Sequence, residues 1–258
     1  METGVSTASL FGRYNTEDAV RVLADAGVPL IEVSLSTFSE YEPAFAEQLA
    51  RIRGGVRVHS VHALTTQFEP QLFNASARVR ADAEAIFRKV LEAGRILGAK
   101  YYTFHGAMRL KTVRYEYDFD RIAATVNRLA DIAAEYGLTL SYENVHWCWF
   151  SYPGYFAELK KRSPVCATLD VKQAVQSGES AYDYLDVVAD RLTTVHLCDC
   201  VGVETALPGR GEFDFARFIA ALKKKGVTAP LILEAYSKDY ADTEELISAY
   251  EYIKGLAE

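Results

Sequence analysis

Residues 118–143 read DFDRIAATVNRLADIAAEYGLTLSYE. The stretch up to Tyr136 carries a helical pattern, Gly137 interrupts it, and LTLSYE is a short β-rich run that ends on an acid. Glycine just past a helix is the expected left-handed cap, because it has no Cβ to clash. The same helix–glycine–strand order recurs along the chain. Residues 16–26 stop at Gly27 before PLIEVSL (29–35), and residues 43–53 stop at Gly54-Gly55 before VRVHSVH (56–62). Residues 76–97 stop at Gly98 before KYYTFH (100–105), and residues 215–225 stop at Gly226 before LILE (231–234). These junctions, without hairpin signals between strands, predict repeated βαβ units and a parallel sheet.

Counting residues 4–10 as a first strand makes eight strands at about 32 residues per unit, a length suited to a (β/α)8 TIM barrel. An open doubly wound sheet would want a glycine-rich phosphate loop after its first strand, and SLFGRYN (9–15) is not one. No linker or low-complexity tract divides residues 1–258, so one domain is expected. Half of the residues are hydrophobic, enough for one large core.

Net charge is −7 and the pI about 5.4. An acidic surface repels phosphate backbones and argues against nucleic acid as a partner. Cys148, Cys166, Cys198 and Cys200 form no C-x-x-C pair, so free thiols in a cytoplasmic setting are expected. The N-terminal stretch has neither a basic region nor a long apolar run, so neither a signal peptide nor a membrane span is expected.

Four β runs end on residues able to bind a metal: Glu143, Asp170 (VCATLD), His196 (LTTVH) and Glu234. A buried acid is costly unless something pairs it. In a barrel, catalytic groups sit at the C-terminal strand ends, and residues two apart along a strand share a face. Glu143, Asp170, His196 and Glu234 then point into one mouth, with His62, His105 and Glu32 beside them. Three carboxylates and one imidazole without a thiolate suit one divalent ion, Mn2+ or Mg2+ before Co2+ or Zn2+. His59 is out of phase with His62 and is expected to face the helical layer.

The fragments Ser-Val-His62-Ala, Phe-His105-Gly, Tyr-Glu143-Asn, Leu-Asp170-Val-Lys-Gln173, Val-His196-Leu-Cys-Asp199, Pro208-Gly-Arg-Gly211 and Leu-Glu234-Ala are together similar to a known family. In their order and strand-end placement the chain resembles the xylose-isomerase-like sugar phosphate isomerase/epimerase superfamily, which includes endonuclease IV. The resemblance implies that Glu143, Asp170, His196 and Glu234 hold a single metal and that His62 and His105 line a substrate pocket. Two positions depart from the family pattern. Gln173 stands where a histidine is usual, and no arginine follows His196 closely, Arg210 being the nearest substitute. Both departures weigh against a ketose 3-epimerase.

A divalent ion chelating a sugar carbonyl and its neighbouring hydroxyl stabilises an enediolate, with Glu143 and Glu234 as bases on either side. Isomerisation, epimerisation or β-elimination by a lyase or dehydratase would follow from that intermediate. The substrate is expected to be a small sugar, sugar phosphate or keto-polyol. Trp147, Lys172, Gln173 and Arg210 are expected at its pocket. The aromatic run around Trp147 could stack on a sugar, or pack against the rim or a partner subunit of a homo-oligomer. Arg109, Lys111 and Arg114 could meet an anion. Asp199 is expected to orient a neighbour. The competing readings are an endonuclease IV-like phosphodiester hydrolase and a non-catalytic sugar-binding barrel.

Overall fold

The computed structural model describes residues 1–63, 68–110 and 115–258. Eight parallel strands close into a barrel. They are β1 (Thr3–Ser6), β2 (Leu30–Leu35), β3 (Arg57–Ala63), β4 (Tyr101–Phe104), β5 (Thr139–Glu143), β6 (Cys166–Asp170), β7 (Leu192–Leu197) and, after a short hairpin of β8 (Asp199–Val201) and β9 (Glu204–Ala206), β10 (Leu231–Leu233). Their order around the barrel is β1-β10-β7-β6-β5-β4-β3-β2. The helices that follow the strands are α1 (Thr16–Asp25), α2 (Pro43–Ile52), α3 (Ala77–Leu97), α4 (Phe119–Glu135), α5 (Pro153–Lys160), α6 (Val171–Gln176), α7 (Ala181–Val188), α8 (Phe215–Lys224) and α9 (Thr243–Ala257).

The strands alternate as a barrel requires. Val33, Val61, Tyr102, Phe104, Leu140, Tyr142, Leu169 and Val195 are buried in the apolar layer between strands and helices. The interior is polar and hydrogen-bonded: Ser141 Oγ lies 2.7 Å from Thr168 Oγ1 and 2.5 Å from Thr193 Oγ1. Gly27, Gly54, Gly98, Gly137 and Gly226 all take positive φ, which is why each helical pattern stops where it does.

Three local expectations need correction. The first strand ends at Ser6, because Ser6 Oγ accepts the amide of Ala8 and turns residues 7–10 into a 3-10 helix. The hairpin of β8 and β9 interrupts the βα repeat, with Gly202 at φ +58 in its turn. His59 does not face the helices. A bulge shifts the β2–β3 register so that Ile31 pairs with Val58 but Glu32 with Ser60, which leaves His59 as the extra residue. An equivalent shift in the β6–β7 pair leaves Thr193 extra. The two bulges meet across the barrel floor, where His59 Nε2 lies 3.1 Å from Thr193 O and 2.9 Å from Thr194 Oγ1.

Candidate active site

The C-terminal strand ends gather the expected residues. Glu143 closes β5, Asp170 closes β6, His196 is the penultimate residue of β7, and Glu234 follows β10 directly. Donor atoms of these four lie within 4.8 Å of one another, and all four side chains are buried. His62, His105 and Glu143 form a second such group that shares Glu143.

Each residue is held by its surroundings. Asp170 caps α6, its Oδ1 accepting the Gln173 amide at 2.9 Å. Asn144 clamps the Asp170 backbone: its Nδ2 donates to Asp170 O at 2.9 Å and its Oδ1 accepts from Asp170 N at 2.7 Å. His196 presents Nδ1 to Glu143 Oε1 at 2.8 Å and Nε2 to Glu32 Oε1 at 3.2 Å. Glu32 therefore lies one pleat below the mouth, not in it. It is fully buried and accepts from Ser60 Oγ and Thr103 Oγ1, each at 2.7 Å. His62 donates Nδ1–H to Thr103 O at 2.9 Å, which leaves Nε2 toward Glu143. His105 Nε2 approaches Glu143 Oε2 to 3.0 Å.

Lys172 reaches back from α6 and donates to Asp170 Oδ2 at 2.6 Å and Glu234 Oε2 at 2.5 Å. A cleft of about 170 Å³ opens above these groups. His62, His105, Glu143, Trp147, Lys172, Gln173, Glu234 and Tyr236 are among the residues that border it. The ring of Trp147 stands edge-on to His105, 5.3 Å between centroids. Its neighbours Phe150 and Tyr155 are fully buried instead, so the aromatic run divides between cleft and core.

The electrostatics follow from packing four acids together. Burial pushes the Asp170 carboxyl up to about 7, and the carboxylates of Glu143 and Glu234 add to this against the relief given by Lys172. Burial disfavours the imidazolium of His196, but Glu32, Glu234 and Glu143 outweigh it and hold that pKa well above the ordinary value. Burial likewise opposes ionisation of Glu143, yet the charge on His196 and the close approach of the His105 imidazole hold its carboxyl well below the usual range.

The donor set fits a divalent cation. Glu143 Oε2 is buried and accepts no well-aligned hydrogen bond. Glu32, Glu143, Asp170 and Glu234 lie in one buried cluster in which, among the described residues, Lys172 is the one lysine or arginine that pairs with any of them. A buried carboxylate without a partner is expensive, and a cation relieves that cost.

Several expected residues have other partners. Arg210 lies outside the cleft, where its guanidinium pairs with Glu245 and is half exposed. The loop that carries it is pinned by Asp199, which accepts the amides of Cys200, Gly209, Gly211 and Phe213. A Cβ on Gly211 would meet Asp199 Oδ1 at 2.3 Å, so the loop packs directly on that anchor. Arg109 donates to His146 O and braces the Trp147 loop. Lys111 and Arg114 lie outside the described residues. Gln173 borders the cleft, with its Oε1 accepting from His146 Nδ1 at 2.6 Å.

Glu69 and Tyr236 are not among the residues expected from the sequence, and Asn144 enters there only within the Tyr-Glu143-Asn fragment, without a role. Glu69 is fully buried, accepts the Tyr102 hydroxyl, and takes the amides of His105 at 2.8 Å and Gly106 at 3.1 Å. It thus sets the turn that aims His105. Asn144 directly follows Glu143 in that fragment.

The sequence matches the family described as xylose isomerase-like TIM barrel over residues 20–256. A comparison with curated proteins returns no match. Among solved structures, D-psicose 3-epimerase from Clostridium cellulolyticum H10 superposes with a TM-score of 0.83 at 16% identity, covering 100% of both chains. The IolI protein with a bound zinc atom gives 0.82 at 18%, covering 100% of this chain and 98% of its own. The 3-keto-D-glucoside 4-epimerase YcjR of E. coli gives 0.78 at 15%, covering 99% of each. At these identities the likeness is one of fold.

Proposed function

The chain belongs to the xylose isomerase-like TIM barrel family, and from that premise we propose a sugar isomerase or epimerase that works with one divalent cation. One observation carries the reading: Glu143, Asp170, His196 and Glu234, from four different strand ends, bring their donor atoms within 4.8 Å of one another beside a cleft. The names of structural neighbours support it, since two are sugar epimerases and one holds zinc.

These four residues would hold the ion, with Mn2+ or Mg2+ suiting the oxygen-rich set best and Co2+ or Zn2+ compatible with it. When bound, such an ion supplies charge neutralisation for a carbonyl oxygen and its neighbouring hydroxyl. The chain's own residues do the rest. Glu143 and Glu234 come from β5 and beyond β10, three places apart around the barrel, and border the same cleft. One carboxylate takes the proton α to the carbonyl, and the opposite one, in its protonated form, donates a proton of its own. Donation to the opposite face of the same carbon gives an epimer; donation to the neighbouring carbon, with the hydroxyl proton moved from one oxygen to the other, gives the aldose–ketose isomer. With Oε1 of Gln173 committed to His146, its amide nitrogen is left to donate to the substrate. Trp147 offers an apolar wall to sugar C–H faces. Four free cysteines agree with a reducing, cytoplasmic setting. Among the described residues no helix is long and apolar enough to cross a membrane.

The test is a panel of sugars, sugar phosphates and keto-inositols in D2O with Mn2+, read by NMR. Solvent deuterium should enter a carbon next to the carbonyl of at least one substrate. No uptake anywhere in the panel, with the metal bound, would sink the proposal.

The group His62–His105–Glu143 favours one second reading. A cation there, beside the first, would make a two-metal site suited to phosphodiester hydrolysis. Gln173 removes one more imidazole from that arrangement, and the acidic net charge of −7 disfavours a nucleic acid substrate. Metal stoichiometry separates the two: about one ion per chain for the isomerase, two or more for the hydrolase.

A further inference from the structure

Lys172 is 2% exposed, an unusual place for a lysine. It is the second residue of α6, directly behind the β6 terminus, and its side chain turns back into the barrel mouth. Its ammonium donates to Asp170 Oδ2 at 2.6 Å, to Glu234 Oε2 at 2.5 Å and, at 3.4 Å, to Glu234 O. It passes 5.4 Å from the centre of the Tyr236 ring.

Those two oxygens are the ones a metal would use. Asp170 Oδ1 is turned to the α6 N-terminus, where it accepts the Gln173 amide. Asp170 Oδ2 and Glu234 Oε2 face His196 Nδ1 at 4.0 and 3.5 Å, inside the four-residue donor group. A divalent ion needs such oxygens at about 2.0–2.2 Å. Ion and ammonium on one oxygen pair would stand roughly 3 Å apart in a buried site, where like charges repel strongly.

We propose that Lys172 is a tethered cation that competes with the metal for Asp170 and Glu234, so that metal loading frees its ammonium to the cleft it already borders. The proposal rests on the single-cation reading above. The lysine offsets part of the charge of Asp170 and Glu234 while the site is empty, and it makes the metal exchangeable. Once freed, it stands beside the Gln173 amide as a donor toward substrate oxygens.

Mn2+ affinity, read from the EPR signal of free Mn2+, tests this in wild type and in Lys172→Met. The variant should bind Mn2+ about tenfold tighter or more, because removing a competing charge removes its repulsion. In the wild type, modification of Lys172 by an amine-reactive reagent, followed by mass spectrometry, should rise when saturating Mn2+ is added. Equal Mn2+ affinity in the two proteins overturns the competition and leaves the single-cation site standing. If neither protein binds Mn2+, the single-cation reading falls and the competition with it. Should the variant fail to fold, the wild-type labelling decides: a Lys172 still protected under saturating Mn2+ overturns the proposal.

Discussion

The Nε2 of His196 lies 3.2 Å from Oε1 of Glu32, and both side chains are fully buried. This contact fixes the orientation of the imidazole and leaves Nδ1 for the mouth of the barrel. Partners of this kind commonly tune metal affinity by 10–100-fold. Glu32→Gln should therefore weaken Mn2+ binding by about that factor while the fold persists. Isothermal titration beside far-UV circular dichroism checks this. An unchanged affinity would mean that His196 needs no such support.

The proposed function makes Glu143 and Glu234 bases as well as cation ligands. Glutamine is nearly isosteric but cannot accept the proton. Glu143→Gln and Glu234→Gln should each lower turnover by about 10²-fold or more, the usual scale for a general base. Bound metal must be measured in the same samples. A variant that keeps its metal and its solvent deuterium exchange identifies that glutamate as a ligand only.

Gly106 has φ +76, and a Cβ there would lie 2.3 Å from the Tyr142 hydroxyl. Gly106→Ala combines a disfavoured backbone conformation with a collision inside the packed core. A loss of stability of about 1–3 kcal/mol is expected. Its amide also binds Glu69, so the turn that aims His105 should shift and KM should rise. Thermal denaturation and steady-state kinetics measure the two effects.

His59 links the barrel floor to pH. Burial lowers its pKa to about 4, against a smaller opposing pull from Glu32. The imidazole is therefore held neutral in the folded state, while the unfolded chain takes up a proton near pH 6.5. Its contribution, about 3 kcal/mol from a shift of this size, is fully present above roughly pH 6.5 and is lost as pH falls toward 4. Between those limits His59→Gln should show a shallower fall in stability with decreasing pH than wild type. Parallel slopes from urea melts at pH 7, 5.5 and 4.5 would contradict this.

Much of the site was legible because its residues obey rules that act along one strand. An acid or imidazole at the end of an apolar run must face either the helices or the mouth, and strand alternation decides which. Glu143, Asp170, His196 and Glu234 were readable on that basis, as were the glycines that end five helices. His59 was misread because its bulge exists only in the pairing of β2 with β3, and no pattern within VRVHSVH encodes it. Arg210 was misread for a similar reason: Asp199 and Glu245, each distant in sequence or in space from the cleft, decide where that loop points.

The sequence by itself determined the βα repeat, the parallel barrel and the set of residues at its mouth, since local periodicity, glycine caps and strand phase require no partner to be read. Only the tertiary structure decided how those residues are paired. That Glu32 sits under His196, that Glu69 holds the His105 turn and that Lys172 spans Asp170 and Glu234 depend on closure of the barrel. Closure brings strands β2 and β7 across from one another and removes water from between them. Charge pairing in a buried site is then set by distances of about 3 Å between residues as many as 164 positions apart, a relation that no window of sequence contains.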